Sequence, residues 1–193
     1  MPPPRSLWPR PWEIRTVALA RQFRRDAALE ANARAIKLDP TRARLIQARA
    51  NLMGFIGKPA EILPLVDQAL ALDPLDVGWA MRLRCRAQLL LGRYRDAVVA
   101  CEKAAPFDDT WIIYVYLTAA YSHEGEVAKA EAAKAALLQR RPGFAIADIK
   151  AGRFSDVPAY WQQIETHVFT GLRKSRNSGA VGIRRGSKLV YAA

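Results

Sequence analysis

The stretch Leu72-Asp73-Pro74 repeats the stretch Leu38-Asp39-Pro40 at a distance of 34 residues. Phe107-Asp108-Asp109 follows after another 35 residues, and Pro142 follows 33 residues after Asp109. Proline has no N–H to donate and disfavours helix in the residue before it, so a helix is expected to end at each of these positions. A period near 34 residues therefore predicts a series of helix-turn-helix units.

A glycine stands seventeen residues before each of the last three period ends, at Gly57, Gly92 and Gly125. Glycine there lets the backbone turn between the two antiparallel helices of one unit. Two packing positions follow each glycine at constant offsets, and they are held by Ile62, Ala97 and Ala130 and by Ala69, Ala104 and Leu137. Three landmarks at fixed offsets in three units indicate a true repeat.

The run Gly92-Arg-Tyr-Arg-Asp-Ala97, continued by Cys101 and Ala104, resembles the tetratricopeptide (TPR) repeat. This resemblance implies an all-α solenoid of three to four helical hairpins. A weaker unit fits residues 9–42, but Phe23 stands where its turn glycine is expected.

Apolar residues recur at three- and four-residue spacing along most of the chain, which predicts helices and no strands. The expected helices span 11–22, 26–37, 41–55, 59–71, 76–91, 94–105, 110–124, 127–140, 144–152 and 158–173. Pro64 is expected to weaken or kink the helix that contains it. The last helix, which begins after Ser155-Asp156-Val157-Pro158, is predicted to cap the exposed end of the solenoid.

The net charge of +12 is concentrated at the two ends of the chain. Residues 1–25 carry six arginines and one glutamate, and residues 171–193 carry six basic residues and no acid. The sequence predicts a flexible N-terminal segment at 1–10, a helical domain at 11–174 and a basic flexible tail at 175–193. Binding of nucleic acid or an anionic surface through these ends remains an alternative function.

No catalytic or metal-binding pattern is recognisable, so the sequence predicts a non-enzymatic protein with no cofactor and no metal. The two cysteines, Cys85 and Cys101, are predicted to be inert thiols in the core, which favours a reducing, cytoplasmic location. No run of apolar residues is long enough to predict a membrane span.

The first helix of each hairpin lines the concave face of a solenoid, so its outward residues are expected to form a partner-binding groove. The predicted groove residues are Arg44, Gln47, Asn51, Trp79, Arg82, Arg86, Ile112, Val115 and Ala119. They predict a groove that is basic and polar at one end and apolar at the other, suited to a segment of acidic and hydrophobic residues. The alternative is that Arg82 and Arg86 are solvated or paired with acids of the neighbouring repeat.

The C-terminal third carries a second resemblance, in Arg141-Pro142-Gly143-Phe144, Phe154-Ser155-Asp156-Val157-Pro158 and Gly171-Leu172-Arg173-Lys174. These segments resemble the end of the TPR region found in bacterial class III adenylate/guanylate cyclases and in some winged-helix regulators. The resemblance implies a regulatory or scaffolding module that binds a protein or peptide. It also leaves open an accessory or remnant domain of a cyclic-nucleotide signalling cyclase.

Overall fold

The computed structural model describes residues 9–108, 110–152 and 154–181, and within these ranges the chain is helical with no strand. The helices are α1 (Pro9–Arg21), α2 (Arg25–Leu38), α3 (Ala43–Phe55), α4 (Ile62–Leu72), α5 (Val77–Leu90), α6 (Tyr94–Ala104), α7 (Trp111–Glu124), α8 (Val127–Arg140) and α9 (Ile146–Ala151). A C-terminal helix follows, made of α10 (Pro158–Gln163), a π-helical turn (Ile164–Phe169) and α11 (Thr170–Val181). The predicted all-α class and most of the predicted helix bounds are confirmed.

Helices α1 to α8 pack as four antiparallel hairpins, each joined by the turn that the repeat predicts. Gly57, Gly92 and Gly125 adopt φ values of 78°, 74° and 77°, a left-handed conformation that residues with a Cβ rarely adopt. Phe23 has a φ of 58° and makes the same turn in the first hairpin without a glycine. The first hairpin is therefore a full member of the stack, although its sequence departs from the pattern.

Small residues allow the helices to approach closely at the predicted packing positions. Ala69, Ala97 and Ala104 are completely buried. One continuous core extends from α3 to the C-terminal helix, and it follows from hairpins that cannot cover their own apolar faces and must stack on neighbours.

Pro64 does not kink a helix. The segment that was predicted as one helix starts with a 3₁₀ turn at Pro59–Glu61 and changes to α-helix at Ile62, so Pro64 lies in the first turn of α4. Backbone N–H groups of a first turn have no partner within the helix, and a proline there costs no hydrogen bond.

The C-terminal helix lies along the row of hairpin turns and not over the end of the stack alone. Gly57 lies against Ala159 and Tyr160, and Gly92 lies against His167. Farther along, Gly171 lies so close to Ala119 of α7 that a Cβ at position 171 would be 2.7 Å from the Ala119 carbonyl oxygen. This helix therefore contacts the second, third and fourth hairpins in turn.

Two polar contacts fix the first part of this C-terminal segment to the end of α3 and to the turn that follows it. Ser155 Oγ donates to the Phe55 carbonyl oxygen at 2.6 Å and accepts the Val157 N–H at 3.0 Å. Gln163 Nε2 donates to the Gly57 carbonyl oxygen at 3.1 Å. The segment is thus held from its first turn against the second hairpin.

The predicted ends of the domain are corrected in part. Helix α1 already begins at Pro9, and α11 continues to Val181, so residues 175–181 extend a helix where a flexible tail was predicted. The remaining residues of the two predicted flexible segments, 1–8 and 182–193, lie outside the described residues.

The two cysteines are buried where α5 and α6 meet, as predicted, but they are not free thiols. Cys85 and Cys101 form a disulfide across the third hairpin, with their Cα atoms 5.0 Å apart. The predicted cytoplasmic location depended on unpaired cysteines, because disulfides persist mainly in oxidising compartments. That support for a cytoplasmic location is therefore lost.

Candidate functional site

A groove with a volume of about 870 Å³ opens between the first helices of the hairpins and the C-terminal segment. Side chains of α1, α3, α5 and α7 form its floor and one wall. Phe154, Tyr160, Ile164 and Val168 from the C-terminal segment form the other wall. The concave face predicted from the repeat is therefore narrowed into a groove by the chain's own last helix.

Most of the predicted site residues line this groove, namely Arg44, Asn51, Trp79, Arg82, Arg86 and Ile112. The other three, Gln47, Val115 and Ala119, are completely buried in the core and do not line it. Ala119 is covered because the C-terminal helix packs directly on α7, and Val115 belongs to the continuous core. Two of the three residues of the predicted apolar end are therefore buried in the core, whereas Ile112 still lines the groove.

Gln47 is buried for a different reason. It lies on α3, whose neighbours Ile46 and Ala43 pack with Ala69 of α4 inside the second hairpin. Neither its side-chain oxygen nor its side-chain nitrogen has a hydrogen-bond partner among the described residues. Gln47 therefore belongs to the interior of the hairpin stack and not to the groove.

The groove is less basic than the sequence predicts, because acids of the adjoining turns pair with two of its arginines. Arg82 Nε lies 2.9 Å from Asp108 Oδ2, and Arg44 Nη1 lies 3.7 Å from Asp76 Oδ2. Asp108 is held in turn by the Thr110 hydroxyl, which donates to its Oδ1 at 2.6 Å. Arg82 is therefore paired with an acid, but that acid closes its own repeat and does not belong to the neighbouring one.

Arg86 differs from these two arginines in its burial and its partners. It is only 5% exposed, and its guanidinium carbon lies 4.8 Å from the centre of the Phe55 ring. Its Nη2 donates to the Asn51 carbonyl oxygen at 3.1 Å, while its Nε is buried without a hydrogen-bond partner among the described residues. Burial raises the pKa of the neighbouring Tyr116 hydroxyl, and the positive charge of Arg86 opposes that rise.

Aromatic and aliphatic side chains make up much of the remaining lining. Trp79 on α5 stacks under Arg44, whose guanidinium carbon lies 5.1 Å from the indole centre. Trp111 on α7 lies against Phe144, with ring centres 5.6 Å apart. At the rim, Leu75 and Phe107 are 91% and 70% exposed. The groove thus combines an apolar lining and rim with one buried cation.

Several groove residues were not predicted from the sequence, because they lie in turns between hairpins or in the C-terminal segment. Leu75 directly follows the Leu72-Asp73-Pro74 end, and Phe107 opens the corresponding Phe107-Asp108-Asp109 end. An apolar side chain within a polar inter-repeat turn was the available signal for both. No comparable signal marks Phe154 or Tyr160, whose place depends on how the last helix packs.

The described residues contain no group of three or more histidine, cysteine, aspartate or glutamate side chains that could hold a metal ion. None of the helices in the described ranges is long and apolar enough to cross a membrane.

No family model matches the chain, and no curated protein matches its sequence. Among solved structures it is similar to PilW, a widely conserved type IV pilus biogenesis factor, at 18% identity and a TM-score of 0.63 over 88% of this chain and 74% of PilW. It is also similar to MamA, at 17% identity and a TM-score of 0.60 over 95% of this chain and 98% of MamA. Both structures are TPR-like α-solenoids.

The likeness to cyclases and winged-helix regulators is not found in these comparisons. The chain therefore has the fold of a TPR-like helical repeat with a C-terminal helix packed along its hairpin turns.

Proposed function

We propose that this chain is a non-catalytic interaction module that binds a segment of a partner protein in the groove between its first hairpin helices and its C-terminal helix. The observation that carries the proposal is the pair of exposed apolar side chains, Leu75 and Phe107, at the rim of a groove lined by Trp79 and Trp111. Exposed apolar groups next to a concave surface are typical of binding sites, since leaving them in water is unfavourable.

The size of the groove favours a short segment over a folded domain. A volume of about 870 Å³ lies within the roughly 300–1,000 Å³ range of sites that enclose a drug-sized ligand. A few anchoring side chains of an extended or helical segment fill such a space, and aromatic residues in the lining supply contact area at low entropic cost. Peptide binding in a groove of this kind uses hydrophobic anchors.

Selection of peptides from a random displayed library tests the proposal. Enriched peptides are expected to bind the wild-type protein and to lose about tenfold or more in affinity when Leu75 and Phe107 are both changed to aspartate. The matched control changes Val99 and Leu138 to aspartate, because these exposed apolar residues lie outside the groove. Equal affinity of every enriched peptide for the wild-type protein and the groove variant would count against the proposal.

Two further functions rest on the sequence. The concentration of basic residues at both ends favours binding of nucleic acid or an anionic surface, which predicts a steep salt dependence for a generic DNA duplex. The resemblance of the C-terminal segments favours an accessory role beside a cyclic-nucleotide cyclase. A duplex titration at low and high salt, with and without residues 182–193, separates the first of these from peptide binding.

A further inference from the structure

We propose that Arg86, at the floor of the groove, binds a carboxylate of the partner segment. The inference rests on the proposed function and specifies the chemistry of the bound segment. It predicts a carboxylate flanked by apolar or aromatic side chains.

Arg86 is a buried cation that the described residues leave without an acidic partner. The neighbouring groove arginines Arg44 and Arg82 each pair with an aspartate, whereas no carboxylate of the described residues lies within 4.0 Å of the Arg86 nitrogens. Burying a charge without a counter-charge costs free energy, and burying a guanidinium Nε without an acceptor adds to that cost. A carboxylate delivered by a ligand offsets the cost of the uncompensated charge.

The side chain is held in place before any ligand arrives. Its guanidinium lies between the Phe55 ring and the backbone of α3, to which it donates through the Asn51 carbonyl oxygen. Gly54 makes this approach possible, because a Cβ at that position would overlap the guanidinium. An arginine fixed in this way loses little conformational entropy on binding, and its planar fork matches the geometry of a carboxylate.

The surroundings of Arg86 define what flanks the carboxylate. Tyr116 and Tyr160, which are 7% and 3% exposed, line the groove beside it, and Trp79 and Ile164 line it farther out. Burial raises the pKa of both tyrosine hydroxyls, so they remain neutral and able to donate hydrogen bonds at physiological pH. A carboxylate between hydrophobic side chains fits this combination of one cation, neutral donors and apolar walls.

Three synthetic tetrapeptides test the inference and distinguish the two sources of a carboxylate. The neutral peptide is acetyl-LFQF amide, the side-chain acid is acetyl-LFEF amide, and the chain-terminal acid is acetyl-LFQF with a free carboxylate. NMR titrations follow the indole N–H signal of Trp79 for occupancy of the groove and the Nε–H signal of Arg86 for contact with the carboxylate. At least one acidic peptide is expected to bind about tenfold more tightly than the neutral peptide and to shift the Arg86 signal.

Variants assign that preference to Arg86. Arg86→Gln is expected to bring the affinity ratio of acidic to neutral peptide close to one. Arg86→Lys is expected to keep only part of the preference, because lysine lacks the planar guanidinium group that pairs with both carboxylate oxygens. Arg95→Gln is the matched control, since Arg95 is exposed, pairs with Glu124 and lies outside the groove. If Arg86→Gln does not fold by circular dichroism, the partial loss in Arg86→Lys provides the test.

The possible failures are distinguishable. If all three peptides shift the Trp79 signal with equal affinity, the groove binds apolar segments but the inference about Arg86 is wrong. If Arg86→Lys and Arg86→Gln leave the preference intact, the carboxylate binds elsewhere and the inference is also wrong. If neither these peptides nor those enriched from the displayed library affect Trp79, the proposed function itself is contradicted.

Discussion

Gln47 is a polar residue in a position where the fold offers its side chain no hydrogen-bond partner. It is completely buried, and both amide atoms lack partners among the described residues. Asn32, which is buried nearby on α2, has one side-chain hydrogen bond, because its Nδ2 donates to the Leu45 carbonyl oxygen at 3.0 Å. An unsatisfied buried amide typically costs about 1–3 kcal/mol, so Gln47 is a weak point of the core.

Replacing Gln47 with methionine is expected to stabilise the protein by about 1 kcal/mol, because it keeps the shape of the side chain and removes the unsatisfied amide. Urea unfolding followed by circular dichroism measures the change. Gln68→Met is the matched control, since Gln68 is exposed on α4 and the same substitution there should leave stability unchanged. A lower free energy of unfolding for Gln47→Met would show that the amide has a partner that stabilises the fold.

The C-terminal helix acts as an element that links the hairpins. Successive contacts with Gly57, Gly92 and His123 are made by Ala159, His167 and Lys174. These contact residues lie seven or eight positions apart, which corresponds to about 11 Å along the helix axis. This distance is similar to the diameter of an α-helix with its side chains, about 10–12 Å. The helix therefore advances by one hairpin in about two turns, and it contacts the second, third and fourth hairpins in succession.

A cluster of two histidines joins this helix to the third and fourth hairpins. Tyr94 OH and His167 Nδ1 are 2.9 Å apart, and His123 Nε2 lies 2.9 Å from the His167 carbonyl oxygen. The rings of Tyr94 and His123 stack with centres 4.0 Å apart, and Lys174 Nζ approaches His123 Nδ1 at 3.4 Å. This arrangement suits a neutral His123 that donates from Nε2, because a second proton on Nδ1 would face the lysine ammonium.

Acidification is expected to weaken the attachment of the C-terminal helix. Burial lowers the pKa of both histidines below the ordinary value of 6.5, and the positive charge of Lys174 lowers that of His123 further, while Glu124 and the His167 carbonyl act in the opposite direction. The unfolded chain therefore takes up protons more readily than the folded one once the pH falls below about 6.5, and stability decreases from there.

Urea unfolding at about pH 7.5 and about pH 5.5, with hydrogen exchange of the C-terminal helix, measures this effect. The double variant His123→Gln and His167→Gln should lose less stability over the same interval than the wild-type protein. An identical loss in both proteins would assign the pH dependence to other groups.

At the scale of the whole molecule, stability is spread along a stack in which each hairpin contacts mainly its neighbours. The Cys85–Cys101 disulfide joins the two helices of the third hairpin, which also contacts the C-terminal helix through Gly92 and Tyr94. A covalent link at this place restricts the unfolded chain and holds the middle of the stack together. Its loss should therefore affect the hairpins on both sides.

Reduction of the disulfide is expected to lower the free energy of unfolding by about 3 kcal/mol, the typical contribution of a crosslink that closes a loop of about 15 residues. Thermal unfolding with and without a phosphine reductant measures the loss. The double variant Cys85→Ala and Cys101→Ala serves as control, because its unfolding temperature should not respond to the reductant. Alkylation of both thiols in the denatured, unreduced protein would show that the cysteines are not paired.

The sequence by itself determined the elements and their period, because those depend on local chemistry. Prolines end helices by lacking an N–H, and glycines at 57, 92 and 125 adopt a backbone conformation that other residues rarely adopt. Phe23 shows that the stack can impose the same turn where glycine is absent. Six of the nine predicted groove residues also line the groove, since the outward face of a first helix follows from helical periodicity.

Only the tertiary structure decided which of those outward positions remain accessible and what charge the groove has. Ala119 is covered by a helix that lies about fifty residues farther along the chain, and Arg82 pairs with an acid in the next turn. The pairing of Cys85 with Cys101 likewise depends on how two helices meet. Packing between distant segments has no periodic signature in a single sequence, because it depends on the shape of the assembled hairpins. For this reason the burial of Arg86, with no acidic partner in the part of the chain that the structure describes, is evident only when all the helices around it are in place.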